Sequence, residues 1–317
     1  MSENANLLDD RYDVYELLGE GGVGVVYKAR DLITNTDVAI KFLVQEAGEI
    51  TRLKALRKRY FEREIALLEK IRHPGIVRLL NTGFTKIGLP YFVMEYIEGK
   101  TLAEQMRTER LPMPVGRVFK ILQPLCSALD CIHKHGAIHR DLKPENIMLL
   151  EKDGKEEVKI LDFGIAKLLE PPPGSPFQPI TQVGNIVGTV DYLAPEQWKE
   201  EELDQRTDLY ALGLIVYELL TGHHPFRSEH IEIAMMRHLS ENAPPPSSYN
   251  NELPMLLDNV ILRSIAKDKY DRQPTVIDFL TEYEEVLVEI YRRSCSYLSN
   301  PATKTLNYEE EEQESSE

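Results

Sequence analysis

Cysteine is scarce in this chain of 317 residues, which holds only Cys126, Cys131 and Cys295. None stands in a C-x-x-C pair, so no disulfide framework or zinc ribbon is read, and a sparse, odd set fits a reducing compartment. Positive charge is also short: 37 Lys and Arg face 52 Asp and Glu, for a net charge of −15. Six of the negative charges are glutamates between Glu309 and Glu317, and the remainder is still about −9. Such a surface argues against nucleic acid and anionic membrane as default partners. No run of about 18 apolar residues occurs, so no membrane span is expected. The polar stretch from Met1 to Arg11 lacks the apolar centre of a signal peptide, and a cytoplasmic location is the expectation. No internal repeat is found. What the chain does have is 42% hydrophobic residues, enough for a sizeable core in one or two domains.

The chemistry is densest at Ile138-His139-Arg140-Asp141-Leu142-Lys143-Pro144-Glu145-Asn146. Asp141 can accept a proton from a hydroxyl. Lys143 can neutralise a transferring phosphoryl group. Asn146 offers a carbonyl oxygen to a hard cation such as Mg²⁺. Upstream, Tyr12 to Leu18 alternates as a strand and runs into Gly19-Glu20-Gly21-Gly22-Val23-Gly24-Val25-Val26-Tyr27. A dinucleotide fold would open a helix inside these glycines, but a β-branched and aromatic run follows them. A strand–glycine loop–strand hairpin able to cover phosphates with backbone N–H groups is therefore expected. Asp37 to Phe42 is a third strand, apolar but for Lys41 in its interior, where a buried ammonium needs anionic partners. A surface lysine is the plainer alternative.

Residues 46–71 carry a helical pattern that includes Glu64, nine residues before His73. Strands are expected over Gly75–Gly83 and Tyr91–Glu95, with the stretch Met94 to Gly99 as a hinge. Helices are expected over Leu102–Arg107 and Pro114–His135, the second interrupted by Pro124. His133 and His135 near its end have no third ligand close by and read as favourable charges at a helix C-terminus. A hairpin of Ile147–Leu150 and Val158–Leu161 ends in Asp162-Phe163-Gly164, twenty-one residues after Asp141. Residues 165–187 are a proline-bearing loop of functional length, followed by Gly188-Thr189 and Ala194-Pro195-Glu196. Helices follow over Thr207–Leu220, with Asp208 as a first-turn acid, and near Ile231–Leu239, Leu253–Ile265, Val276–Leu280 and Thr281–Ser294. The acidic stretch 299–317 is expected to be disordered.

Glycine loop, V-A-I-K, H-R-D-x-x-x-x-N, D-F-G and A-P-E occur in that order over about residues 11–290. The chain resembles a eukaryotic-like (Hanks-type) serine/threonine protein kinase of the bacterial kind. The resemblance implies an α+β, bilobal fold: a small antiparallel sheet of five strands with one main helix, and a larger, mainly helical lobe. It implies an N-terminal tail at 1–11, lobes at 12–95 and 96–290, and an acidic tail at 291–317. It implies ATP and Mg²⁺ as cofactors and Ser/Thr-bearing proteins as substrates. ATP would meet Leu18, Gly19, Glu20, Gly21, Gly22, Val23, Gly24, Val25, Val26, Ala39, Lys41, Met94, Glu95, Ile97 and Met148, with Glu64 pairing with Lys41. Asn146 and Asp162 would hold the metal. Asp141 would be the base and Lys143 would steady the γ-phosphate, with Asn146 completing the catalytic set. Leu68, Leu79, His139 and Phe163 would stack between the lobes, anchored by Asp208, and Glu196 would pair with Arg272.

Serine/threonine specificity rests on Lys143 and on its expected partner Thr189. Gly75 stands where this family commonly has asparagine. Arg140 and Thr181 would form a regulatory pair after autophosphorylation between two molecules. The alternatives are a pseudokinase scaffold, which usually loses the equivalents of Lys41, Asp141 or Asp162, and a small-molecule kinase, which would not need the Gly188-Thr189 and A-P-E segments.

Overall fold

The computed structural model describes residues 7–21, 24–43, 70–161 and 190–298. The first part is an antiparallel sheet in the order β1-β2-β3-β4-β6-β5. Its strands are β1 (Leu7–Leu8), β2 (Tyr12–Gly21), β3 (Gly24–Asp31), β4 (Thr36–Leu43), β5 (Leu79–Phe84) and β6 (Pro90–Glu95). Six strands stand where five were expected, because Leu7 and Leu8 pair with Asp13 and Tyr12. Part of the expected N-terminal tail is thus a sheet edge. The glycine hairpin forms as read, with Gly21 opposite Gly24. A Cβ on Gly24 would lie 2.1 Å from the Phe42 carbonyl oxygen, so only glycine lets β3 approach β4 this closely.

Alternation divides the sheet into two faces. Tyr12, Ala29, Val38, Ile40, Tyr91 and Val93 form a small outer core. Leu43, Phe92 and Met94 point the other way and join the main core of the molecule. The fourth strand of the expected set starts late, at Leu79 rather than Gly75. Residues 75–78 turn instead against the second part, where Ile76 forms a parallel bridge with Ile160. A Cβ at Gly75 would sit 3.2 Å from the Ala128 Cβ and from His73 Nδ1, which accounts for the small residue there.

The second part begins with β7 (Lys100–Thr101) and α1 (Leu102–Thr108). Thr101 and Glu104 cap α1 reciprocally, side chain to backbone at 3.1 and 2.8 Å. Then come α2 (Val115–Lys134) with Pro124 inside it, β8 (Ile147–Lys152), β9 (Lys155–Ile160), α3 (Pro195–Trp198), α4 (Gln205–Thr221), α5 (Ile231–Ser240), α6 (Met255–Ser264) and α7 (Val276–Leu298). Strands β7, β8 and β9 form a second antiparallel sheet. Helix α4 is mostly apolar and is buried from Thr207 to Thr221, with Asp208 and Glu218 as charges inside the buried stretch, the pattern of a central helix. It is capped by Asp204 and ends on Gly222 at φ +75°. Two helices were expected after Thr275, but one continuous α7 is found, and residues 291–298, expected in the tail, are helical. No glycine or proline interrupts 276–298. No helix among the described residues is long and apolar enough to cross a membrane.

Candidate active site

The loop from His139 to Asn146 is held by its backbone. Asp208, at the start of the buried α4, accepts the backbone N–H of His139 and of Arg140, each at 2.8 Å. Its Oδ2 also accepts from His133 Nε2 at 2.8 Å. Burial alone would push the Asp208 carboxyl up, but the hydrogen bonds and charge of His133, together with His139, hold it below its ordinary value. His133 lies in the last turn of α2 as expected, but its side chain packs inside, against Asp208. His135 instead contacts the Cys131 carbonyl through Nδ1 at 2.8 Å. Asp208 also does more than favour a helix dipole, since it is the anchor of the loop.

Arg140 adopts φ +64°, a left-handed conformation that costs a non-glycine residue about 1–2 kcal/mol. Its N–H is taken by Asp208, and its carbonyl accepts from Gln197 Nε2 at 2.8 Å. The next residue, Asp141, is half-buried. Lys143 Nζ lies 3.0 Å from Asp141 Oδ2. Asn146 Nδ2 donates to the Asp141 carbonyl at 2.8 Å and to Oδ2 at 3.1 Å. With its nitrogen so committed, the Asn146 amide leaves Oδ1 as the atom to meet a cation, a hard oxygen that suits Mg²⁺. The Asn146 carbonyl accepts from Leu161 N at 2.9 Å, so the strand leading to Asp162 ends at this loop. Asp141, Lys143 and Asn146 are thus brought together as expected. The adjoining hollow is lined by Tyr192, Leu193 and Gln197 as well as by the loop itself.

On the sheet above, Val26 pairs with Lys41, Lys41 with Phe92 and Ala39 with Met94, which places these side chains on the inner face. Lys41 is buried there, 6% exposed, rather than at the surface. Leu18, Gly19 and Glu20 lie on β2 and are exposed, and Gly21 ends that strand. Val25 is half-buried on β3, Ile97 lies in the connection after β6, and Met148 lies on β8. The Glu95 side chain is tied down beside the connection: its Oε1 accepts from Lys159 Nζ at 2.6 Å and from Arg78 N at 3.0 Å. Its backbone N–H donates to the Arg78 carbonyl at 3.0 Å. Gly22, Val23, Glu64, Leu68, Asp162, Phe163, Thr181 and Thr189 lie outside the described residues.

Below the loop, α3 is fixed as expected. Arg272 grips Glu196 with two hydrogen bonds of 2.8 Å, both side chains being buried, and Thr207 Oγ1 adds a third at 2.9 Å. Sequence reasoning missed His133 and Gln197. Their partners lie 75 and 57 residues away, and no local pattern announces contacts at that distance.

Comparisons with known proteins agree with this geometry. A family model described as the protein kinase domain matches residues 12–280. The serine/threonine-protein kinase PknB of Mycolicibacterium smegmatis is 38% identical over 274 residues, covering 86% of this chain and 42% of that protein. PknB of Mycobacterium tuberculosis is 38% identical over 282 residues, covering 88% of this chain and 43% of that protein. The chain therefore spans less than half the length of these relatives. The crystal structure of the Mycobacterium tuberculosis PknI kinase domain superposes with a TM-score of 0.66 at 25% identity, covering 90% of this chain and 99% of that one. An antiparallel sheet over a helical part, a loop hung from a buried helix by its backbone, and a match over most of the chain have one common explanation: the chain belongs to the protein kinase domain family.

Proposed function

We propose that this chain transfers the γ-phosphoryl group of ATP to serine and threonine hydroxyls of proteins, with lobes at 12–95 and 96–290. The carrying observation is that Lys143 and Asn146 both lie within hydrogen-bond distance of the Asp141 carboxylate. Asp141 orients the substrate hydroxyl and takes its proton. The hydroxyl oxygen bonds to the γ-phosphorus as the bond to the ADP oxygen breaks, and Lys143 neutralises the charge on the moving group. Lys41 holds the α- and β-phosphates, paired with Glu64. Val26, Ala39 and Met148 enclose adenine, Met94 closes the back of its pocket, and the backbone of 95–97 reads its edge. The glycine loop from Leu18 to Val26 covers the phosphates. Protein kinases generally use Mg²⁺ with ATP; here Asn146 and Asp162 would hold the ion through oxygen atoms, and it would supply positive charge to the phosphates. A scaffold without activity is disfavoured, because Lys41, Asp141 and Asp162 are all present. The sparse, odd set of cysteines supports a reducing, cytoplasmic setting for the domain.

Regulation follows from Arg140, which directly precedes the base and can form a bidentate pair with a phosphate. Thr181 is the proposed acceptor, phosphorylated between two molecules, and Thr189 partners Lys143 and Asp141. Asp141→Asn tests both levels. It is expected to abolish transfer to a generic protein substrate while leaving nucleotide binding intact. Mass spectrometry after incubation with Mg-ATP should find phosphate on Thr181 in the parent and not in the variant. Transfer at the parent rate by Asp141→Asn would refute the assignment of the base, and an unmodified Thr181 in an active parent would refute the regulatory site.

A further inference from the structure

Arg140, the residue that leads into the base, has both of its backbone polar groups held: its N–H, in the peptide before it, and its carbonyl, in the peptide that joins it to Asp141. Asp208 takes the Arg140 N–H from the α4 side. Gln197 approaches from α3. Its Oε1 accepts the Ala194 N–H at 3.0 Å and its Nε2 donates to the Arg140 carbonyl at 2.8 Å. An N–H on one side and a carbonyl on the other leave no choice of amide orientation. Gln197 sits next to Glu196, which is itself locked to Arg272, so the amide is presented from a fixed support. The carbonyl it holds belongs to a residue in a left-handed conformation, φ +64°, which relaxes unless something keeps it there. Gln197 also lines a small hollow together with Asp141, Tyr192 and Leu193.

We propose that Gln197 is a positioning residue for phosphoryl transfer, which holds the Arg140–Asp141 peptide through its Nε2 so that the Asp141 carboxylate stays aimed at the incoming hydroxyl, and which ties the peptide-docking segment 190–198 to the base. The inference rests on the phosphotransfer reading above. It separates the two bonds of one side chain. The bond to Ala194 is a local cap, and the bond to Arg140 carries function.

Two substitutions divide them. Gln197→Glu keeps an acceptor for Ala194 N–H but places a carboxylate oxygen against the Arg140 carbonyl. Gln197→Lys keeps a donor for Arg140 and loses the cap. Steady-state kinetics on a generic protein substrate, with the full chain, should show kcat reduced by roughly 10- to 100-fold in Gln197→Glu, since small misplacements of a reacting group cost that much. The KM for ATP should be unchanged. Gln197→Lys should keep kcat within about threefold of the parent if the donor alone matters. Thermal melting of each variant separates misfolding from misplacement, and Gln197→Met, uncharged and of similar length, should behave as Gln197→Glu does. Equal kcat in parent, Gln197→Glu and Gln197→Met overturns the inference, as does a greater loss in Gln197→Lys than in Gln197→Glu. A parent with no transfer at all overturns the phosphotransfer reading itself, and the inference with it.

Discussion

His238 is fully buried within a ring of aromatic side chains, with centroids of Phe226, Tyr210, His224 and Trp198 at 5.2, 5.9, 6.2 and 6.5 Å. Its Nδ1 lies 3.0 Å from the Tyr210 hydroxyl. Burial, helped by the charge of Lys267, pushes it from its ordinary 6.5 down to about 3. His224 is likewise held well below its ordinary value, by burial first and then by the charge of Arg227. The consequence has a definite sign. As pH falls from 6.5 towards about 3, the unfolded chain takes a proton at residue 238 and the folded chain does not, so stability is lost across that window. The melting temperature should therefore drop between about pH 7.5 and pH 5, before the depressed carboxyls of Asp31 and Asp208 begin to protonate. In His238→Gln the melting temperature should start lower at neutral pH and fall less on acidification; parallel acid slopes for parent and variant would sink this account. A single residue's sequence neighbours say nothing of this. His133 shows the same limit: an H-x-H pair near a helix end reads as a charge suited to the helix C-terminus, and nothing nearby announces the Asp208 that a helix 75 residues on brings to it.

Elements were legible where a local signal decides them. The glycine hairpin, the lysine strand and the loop with Asp141 all fell where their patterns placed them, because alternation and turn chemistry are short-range. Boundaries set by long-range contact were not legible: β5 begins at Leu79 because residues 75–78 are drawn to Ile160 instead. Helix α3 is only four residues long and could not persist by its own hydrogen bonds. It is kept by Glu196, whose carboxylate meets an Arg272 that is 0% exposed and also donates to the carbonyls of Ala266 and Arg206 at 2.8 and 2.9 Å. Removing one member of such a pair strands the other without a partner of opposite charge. Arg272→Met or Glu196→Gln alone should destabilise the chain by about 3–5 kcal/mol. The double variant should lose much less than the sum. Urea unfolding of the four proteins measures the coupling, and strict additivity would show that the pair does not hold α3.

At the scale of the whole molecule, the family match ends at residue 280 but the packed structure does not. Beyond it, Tyr283, Val286, Leu287 and Ile290 still contribute to the main core. Tyr283 stacks on Phe119 and donates to the Val115 carbonyl at 3.0 Å. From Tyr291 to Arg293 the side chains are exposed. A chain stopped after residue 280 should lose roughly 5 kcal/mol or more, at about 1.5–3 kcal/mol for each large apolar side chain left without its burial. A chain stopped after residue 293 should melt within a few degrees of the parent. Equal melting temperatures for the two would mean that α7 beyond 280 adds nothing.

The segment 75–78 also bears on motion at this scale. Gly75 O and Val77 N bond to the backbone of Ile160 at 2.9 Å each, and Arg78 O accepts from Glu95 N at 3.0 Å. Among the described residues, the sheet carrying Lys41 is thus joined to the part carrying Asp141 along this seam, through the connection after Glu95 and by the Glu95–Lys159 pair. All three joints lie on the β5–β6 side of the sheet, like the hinge side of a door. That side is pinned, and the hairpin of β2 and β3, farther across the sheet, has the longer lever arm.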